Sequence, residues 1–512
     1  MQIGMQPNPG WLVFLGCWLG STGIVGPSPC QAKIRFTGVN LAGAEFGVSN
    51  NNVNLPGTYN QHYTYPTAAE ADYFIGKGMN TFRLPFRWER LQRSQFADLH
   101  GAGPGPTGEL DRMDTFVNAA TGAGAYVVLE PHNFQRYFPA TDNFQSSSRG
   151  LVGSSVPDSA FADFWGKVAD HYQDNRRVIF NLMNEPNTIP TEQLVASENA
   201  AIQAIRAAGA KNLILVPGNQ WTGAWAWDPP GQVDNNPSMP GKQVWYGTIN
   251  AEAMLNIVDP LDNFAFDVHQ YLDDDSSGTS DQIGTNQNPD NPNIGVERLT
   301  TFTNWLHANN RKGFLGEFAV ANARIGSGPT DVGDEAIRNV LDYIEANDDV
   351  WLGWAWWAAG PWWGNYRFTL EPTNLGQASQ TDQAAMAVLE PYFAADLPGD
   401  YNFDGAVDAA DYTVWRNSLG QTGAGLDADS NIDGLVDGAD YDTWKANFGL
   451  TAPGFGAGGL AAVPEPGAML LAGLGCLILG VSARPARRAR RRRGRCRGRR
   501  PPRRPTSPIE MR

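Results

Sequence analysis

From Ile34 to about Tyr392 the chain alternates short apolar runs with longer segments whose apolar residues recur at helical spacing. The short runs are rich in β-branched and aromatic residues. They predict strands at Ile34–Leu41, Thr81–Leu84, Tyr126–Glu130, Val178–Leu182, Leu213–Val216, Phe264–His269, Gly313–Glu317 and Trp351–Trp357. Amphipathic segments between them predict helices at Thr67–Gly76, Leu110–Thr121, Asp158–His171, Thr191–Ala208, Val296–Asn309 and Asp334–Ala346. Asp158, after Pro157, is placed to cap one helix, and Gly209 to stop another. Eight β/α alternations over about 360 residues predict an α/β protein, a (β/α)8 TIM barrel with lengthened loops. A doubly wound open sheet is the alternative, but no glycine-rich phosphate loop follows the first strand.

Outside this region the pattern changes. An apolar stretch from Trp11 to Val25, then small and turn residues up to Ala32, predicts a signal peptide over 1–32, although no Lys or Arg precedes it. The barrel domain is then expected over 33–395. Residues 396–450 contain an internal repeat at a spacing of 29 residues. A Gly-, Ala- and Pro-rich linker occupies 451–463. Segment 464–512 joins Pro464, Glu465 and Pro466 to an apolar run, Gly467–Ser482, and a basic tail.

Charge and composition narrow the class of partner. The net charge of −15 conceals a division, because Arg484–Arg512 hold 14 arginines and one glutamate, a local +13 that leaves −28 on the rest. So acidic a body excludes nucleic acid as a partner of the folded part, since phosphate binding needs clustered Lys and Arg. The 17 tryptophans exceed the needs of a core this size and suit flat neutral ligands such as sugars. Cys17, Cys30, Cys476 and Cys496 all fall outside the predicted folded body, which therefore holds no disulfide and no thiolate metal site.

The candidate chemistry lies at strand ends, which in a parallel barrel converge on one rim. Arg83 ends the second strand, His132 and Asn133 follow the third, and Asn184 and Glu185 follow the fourth. His269 and Tyr271 follow the sixth, Glu317 ends the seventh and Trp357 the eighth. Two carboxyls among such donors suit cleavage of a glycosidic bond: one protonates the leaving oxygen and the other attacks the anomeric carbon. The acid needs a raised pKa, while the attacking carboxylate needs donors, for which Arg83, Asn184 and Tyr271 are candidates. His132 and His269 are candidates for orienting partners and sugar hydroxyls. Glu130 reads as a partner of Arg83 or His132 rather than a third catalytic acid. Trp221, Trp225, Trp227, Trp362 and Trp363 lie in loops beyond strand ends and divide between sugar stacking and packing.

Several motifs run in order along this span. They are GAEFG (Gly43–Gly47), FRLPF with ERL (Phe82–Leu91), EPHNFQRYF (Glu130–Phe138) and NEP (Asn184–Pro186), then GNQWTGAWAW (Gly218–Trp227), HQYLDDDSSGTS (His269–Ser280), GEF (Gly316–Phe318) and WWAAGPWWG (Trp356–Gly364). Together they resemble glycoside hydrolase family 5, and most closely its fungal-type endoglucanases. The resemblance implies a TIM barrel working with retention and without a catalytic cofactor, with Glu185 as acid/base and Glu317 as nucleophile. It places Arg83, His132, Asn184, His269, Tyr271 and Trp357 on supporting positions; Asn133, Trp221 and Trp225 are further candidates for substrate binding. The implied activity is an endo-β-1,4-glucanase acting on cellulose or related β-glucans, with mannan, xyloglucan and mixed-linkage glucan open as substrates. A non-catalytic carbohydrate-binding surface protein is the alternative from another class; the presence of both glutamates argues against it.

In the repeats, Asp400, Asn402, Asp404, Gly405, Asp408 and Asp411 recur as Asp429, Asn431, Asp433, Gly434, Asp437 and Asp440. Tyr412 and Trp415 recur as Tyr441 and Trp444. Oxygen ligands at loop positions 1, 3, 5, 9 and 12, with Gly at 6, predict structural Ca2+ in each loop. Aspartate at position 12, a following Tyr and a short helix resemble a type I dockerin, which implies a cohesin-like protein partner and a small α-helical domain. A purely structural calcium module is the alternative. The C-terminal segment resembles a PEP-CTERM sorting signal, which implies a secreted or cell-surface bacterial protein, transiently anchored in the membrane and processed by a sorting protease. Its apolar run spans only ~24 Å as a helix against a hydrocarbon core of ~30 Å, which suits a transient anchor better than a permanent span. A plain tail anchor or a basic nucleic-acid-binding arm are the alternatives.

Overall fold

The computed structural model describes residues 34–48, 53–101, 108–138, 149–228, 247–326, 331–393, 397–402, 406–423 and 426–451. The predicted signal peptide, nearly all of the linker, the C-terminal segment with its apolar run, and the arginine tail lie outside these residues, as do Asp404 and Gly405. No described helix is long and apolar enough to cross a membrane.

Eight strands close into a barrel: β1 (Phe36–Leu41), β2 (Thr81–Phe86), β3 (Tyr126–Pro131), β4 (Val178–Asn181), β5 (Ile214–Pro217), β6 (Phe264–His269), β7 (Gly313–Phe318) and β8 (Trp351–Ala359). All pairings are parallel, and β1 joins both β2 and β8, so no edge is left open. The TIM barrel is therefore present. Its strands read as mostly apolar runs because helices wall their outer faces while side chains fill the interior. The outer helices are α1 (Ala68–Lys77), α2 (Glu109–Gly122), α3 (Asp158–Tyr172), α4 (Thr191–Ala207), α5 (Ile294–Asn309) and α6 (Val332–Glu345).

Local signals explain several helix ends. Thr67 and Glu70 form a capping box at the start of α1, and Gly209 takes a left-handed φ of 93° after α4. The expected cap at Asp158 is not made. Pro157 occupies the cap position, and the Asp158 carboxylate instead accepts a 2.5 Å hydrogen bond from Ser197 of α4.

The interior of the barrel is graded. At the N-terminal end, here called the floor, Phe36, Tyr126, Leu213, Phe314 and Leu352 pack with Val128, Ile179, Leu215, Ala265 and Ala355 in one apolar cluster. Farther along the same strands the buried side chains become polar: Asn40, Arg83, Glu130, Asn181 and Asp267. Gly316 makes room for this layer, since a Cβ there would stand 2.3 Å from Asp267 Oδ1. Arg83 bonds Asn40 and Asn181, and Asn181 bonds Asp267, so the layer is largely tied together directly beneath the C-terminal rim.

The repeats form helices α7 (Ala409–Ser418) and α8 (Gly438–Asn447), each with an N-terminal capping box, Asp408 with Asp411 and Asp437 with Asp440. The recurring tryptophans brace one repeat against the other. Trp415 Nε1 donates to the Asp437 carbonyl and Trp444 Nε1 to the Asp408 carbonyl, both at 2.7 Å.

Candidate active site

The rim residues converge around the Arg83 guanidinium, which is wholly buried at the middle of β2. Arg83 Nη1 donates to Glu317 Oε1 at 2.9 Å and to Asn40 Oδ1 at 2.7 Å. Its Nη2 donates to Asn184 Oδ1 at 2.9 Å and lies 3.5 Å from Glu130, while Nε donates to Asn181 Oδ1 at 3.3 Å. Burial works against the cation, but the charges of Glu130, Glu317 and Asp267 outweigh it and keep Arg83 ionised.

Glu317 ends β7 with both oxygens engaged. Oε1 accepts from Arg83, and Oε2 accepts from the Tyr271 hydroxyl at 2.7 Å. Glu185 stands past the end of β4 with a left-handed φ of 43° and keeps 18% of its side chain exposed, so it is open to a ligand. Burial raises its pKa above the ordinary carboxyl range. The charge of Glu317 adds to that effect, against the hydrogen bond and charge of His269. His269 Nδ1 bonds Glu185 Oε1 at 2.9 Å and lies 3.5 Å from Glu317. Burial pulls His269 down, yet Glu317 and its bonds to Asp267 and Glu185 bring it up to about 10, so it is an imidazolium at neutral pH. One oxygen each of Glu185 and Glu317 and one His269 nitrogen all lie within 4.8 Å of one another. Three such atoms are near enough to share a metal ion, but Arg83 and Tyr271 already donate to Glu317, which leaves its oxygens poorly placed to take one.

His132 belongs to the same network in the opposite charge state. Burial, followed by the charge of Arg87, holds its pKa well below the usual value, so it is neutral. Its Nδ1 donates to Glu130 Oε2 at 3.1 Å and its Nε2 accepts from Asn184 at 3.2 Å, which fixes the tautomer. Arg83, Asn184, His132 and Glu130 thus form a closed ring. Glu130, raised to about 7 by burial, partners both Arg83 and His132.

The aromatic candidates divide. Trp357 is half-buried, stacks on His132 at 5.6 Å and 17° and donates from Nε1 to the Tyr366 hydroxyl at 3.2 Å. Trp221 and Trp362 are exposed, at 39% and 42%, and Trp225 and Trp363 are half-buried. Trp227 and Trp356 are fully buried, Trp227 among Phe266, Phe302 and Trp305. Asn133 is not brought to the pair. It donates to both oxygens of Glu89 at 2.8 and 2.9 Å and accepts from the Trp88 amide, so it fastens the rim from behind. Sequence reading missed Asn40, Asn181, Asp267 and also Gln270, which accepts from the Trp225 amide and donates to the Tyr271 carbonyl. The signal for the first three was a polar residue inside an otherwise apolar strand.

Tyr271 is held by the loop that follows it. The buried Asp273 carboxylate accepts from the amides of Gly278, Thr279 and Ser280 at 3.0 to 3.2 Å, and Arg298 donates to the carbonyls of Tyr271 and Asp273 at 2.8 Å. The loop presses Gly278, at φ 66°, against the Tyr271 ring, where a Cβ would stand 2.7 Å from two ring carbons. Gly278→Ala should push the hydroxyl off Glu317. A hydrogen bond to a charged group is worth about 1.5–3 kcal/mol, so kcat should fall roughly 10- to 100-fold with KM nearly unchanged. In a Tyr271→Phe background the same substitution should cost little more; steady-state kinetics on the four proteins checks this.

Such a site can protonate one side of a bound ligand from Glu185 and present an ionised carboxylate from Glu317 on the other. Similarity to known proteins agrees with that chemistry. The family model described as Cellulase (glycosyl hydrolase family 5) matches residues 39–360, and the PEP-CTERM protein-sorting motif matches residues 462–488. Endo-beta-1,4-glucanase B of Aspergillus niger is 38% identical over 340 residues, 66% of this chain and 86% of that protein. Among solved structures, an endo-beta-1,4-glucanase from Xanthomonas axonopodis pv. citri is 40% identical with a TM-score of 0.58, covering 70% of this chain and 98% of that one. XacCel5A in complex with cellopentaose is 41% identical with a TM-score of 0.57, covering 70% and 99%. With the family model spanning most of the barrel and its two glutamates meeting at one rim, the chain belongs to glycosyl hydrolase family 5 and is a glycoside hydrolase.

Proposed function

We propose that the chain is a retaining endo-β-1,4-glucanase that hydrolyses cellulose or a related β-glucan by double displacement. The observation that carries the mechanism is the closeness of Glu185 and Glu317, one oxygen of each lying within 4.8 Å of the other. Retaining enzymes hold their carboxyls at roughly 5–5.5 Å, whereas inverting ones need roughly 6.5–9.5 Å to admit a water. Glu317, fixed by Arg83 and Tyr271, attacks the anomeric carbon. Glu185, with its raised pKa, protonates the leaving oxygen as the glycosidic bond breaks, then takes a proton from the water that attacks the anomeric carbon and releases Glu317. Substrate class is supported by the relatives named as endo-β-1,4-glucanases and by the cellopentaose bound to XacCel5A. Reducing-end assays on carboxymethyl cellulose, mixed-linkage glucan, xyloglucan and mannan are expected to favour the β-1,4-glucans. Faster release from mannan than from carboxymethyl cellulose would reject the assignment.

For residues 396–450 we propose a calcium-binding, dockerin-like module, and for the C-terminus export followed by transient anchoring and cleavage by a sorting protease. Support for calcium is the doubled ligand pattern and the turn of the second loop, where Asp429 accepts from the amides of Asp433 and Gly434 at 3.1 and 2.7 Å. Support for docking is the exposure of Ala409, Ala410, Gly438 and Ala439 at the two helix starts. Calcium at a hundred times its Kd should add about 2.7 kcal/mol to the module. Calorimetry of the full chain should therefore show a transition that falls by several degrees on chelation and returns with Ca2+; an unmoved trace would remove the proposal.

A further inference from the structure

The second acidic loop reaches the floor of the barrel. Ile432 is 3% exposed and belongs to the same apolar cluster as Phe36, Tyr126, Leu213, Phe314 and Leu352, the residues that ring the N-terminal mouth. Polar contacts surround it. Arg35, just ahead of β1, donates to the Leu426 carbonyl at 3.0 Å and to the Asp429 carbonyl. Asn263, just ahead of β6, donates to the Ile432 carbonyl at 3.3 Å, and Lys211 reaches Asp433 at 3.2 Å. Gly434 permits the approach, because a Cβ there would come within 2.9 Å of Asn263 Cβ.

We infer that the floor of the barrel is the binding partner of loop Leu426–Gly434, which closes the barrel in cis as a stopper. The backbone of Ile432 supports this. Its φ of 46° is a conformation that β-branched residues rarely adopt and glycine adopts freely. A loop that merely turned in solvent has no use for isoleucine there. A loop that must fill an apolar mouth does, since burial of the side chain offsets the strained backbone. Arg35 and Asn263 hold the loop through backbone carbonyls, whereas Lys211 uses Asp433, one of the proposed calcium ligands. The contact restricts a foreign protein: with the second loop seated, that protein meets the helix starts and not residues 426–434.

The test uses the full chain with a protease site inserted ahead of Pro398. After cleavage the module is expected to co-elute with the barrel on size exclusion. Separation of the wild-type fragments would overturn the inference. Ile432→Gly keeps the turn and relaxes its backbone while deleting the side chain. In the uncut protein it should shorten the half-life of hydrolytic activity at an inactivating temperature roughly tenfold, as removal of a core side chain does. Arg35→Met, made on the barrel side, should act in the same direction. Inactivation of both variants at the wild-type rate would also overturn the inference.

Discussion

Glu317→Ala is expected to lower hydrolysis by on the order of 10⁵-fold or more, the loss typical of deleting a nucleophile. Exogenous azide should restore part of the turnover by entering the vacated space and should yield a glycosyl azide of inverted configuration. The fold should survive, because Arg83 keeps Asn40, Asn181 and Asn184 as acceptors and Glu130 and Asp267 as counter-charges. Proton NMR of the products decides the stereochemistry. A wild-type product of inverted configuration, or a variant that azide does not rescue, would reject Glu317 as nucleophile.

Glu185→Gln should behave differently, although its side chain lies on the same rim. Loss of a general acid typically costs roughly 10²- to 10⁴-fold, but only where the leaving group needs a proton. With a dinitrophenyl cellobioside the first step should stay fast, the covalent intermediate should accumulate as a burst, and azide should give product of retained configuration. The pH profile should change as well. Burial and the charge of Glu317 raise the pKa of Glu185, so the wild-type acid stays protonated, and active, to higher pH than an ordinary carboxyl. Activity should fall on the alkaline side as that proton is lost, and glutamine, which does not titrate, should remove the limb. A limb that persists unchanged in Glu185→Gln would assign it to another group, of which His269, brought up to about 10, is the nearest.

The barrel was readable from sequence because a parallel strand buried on both faces leaves a mostly apolar run; all eight observed strands end within two residues of the predicted position. Glu185 and Glu317 were readable for a related reason: a carboxylate that terminates such a run has few places to go except the rim. Side-chain direction was not readable. Asn133 follows His132 directly, yet Asn133 turns to Glu89 behind the rim and His132 to Glu130 and Asn184 in the Arg83 network. Asn40, Asn181 and Asp267 were hidden because each interrupts its strand by only one residue, and their meaning appears only when Arg83 bonds the two asparagines and Asn181 in turn bonds Asp267. Ile432 was the least visible of all, a single apolar residue inside an acidic loop whose destination lies in another part of the chain.

The seat of the second loop at the floor also keeps it out of the way of substrate. Loop 426–434 meets the N-terminal mouth of the barrel, whereas Glu185 and Glu317 lie at the C-terminal ends of β4 and β7. A long glucan can therefore lie across the rim without meeting that loop.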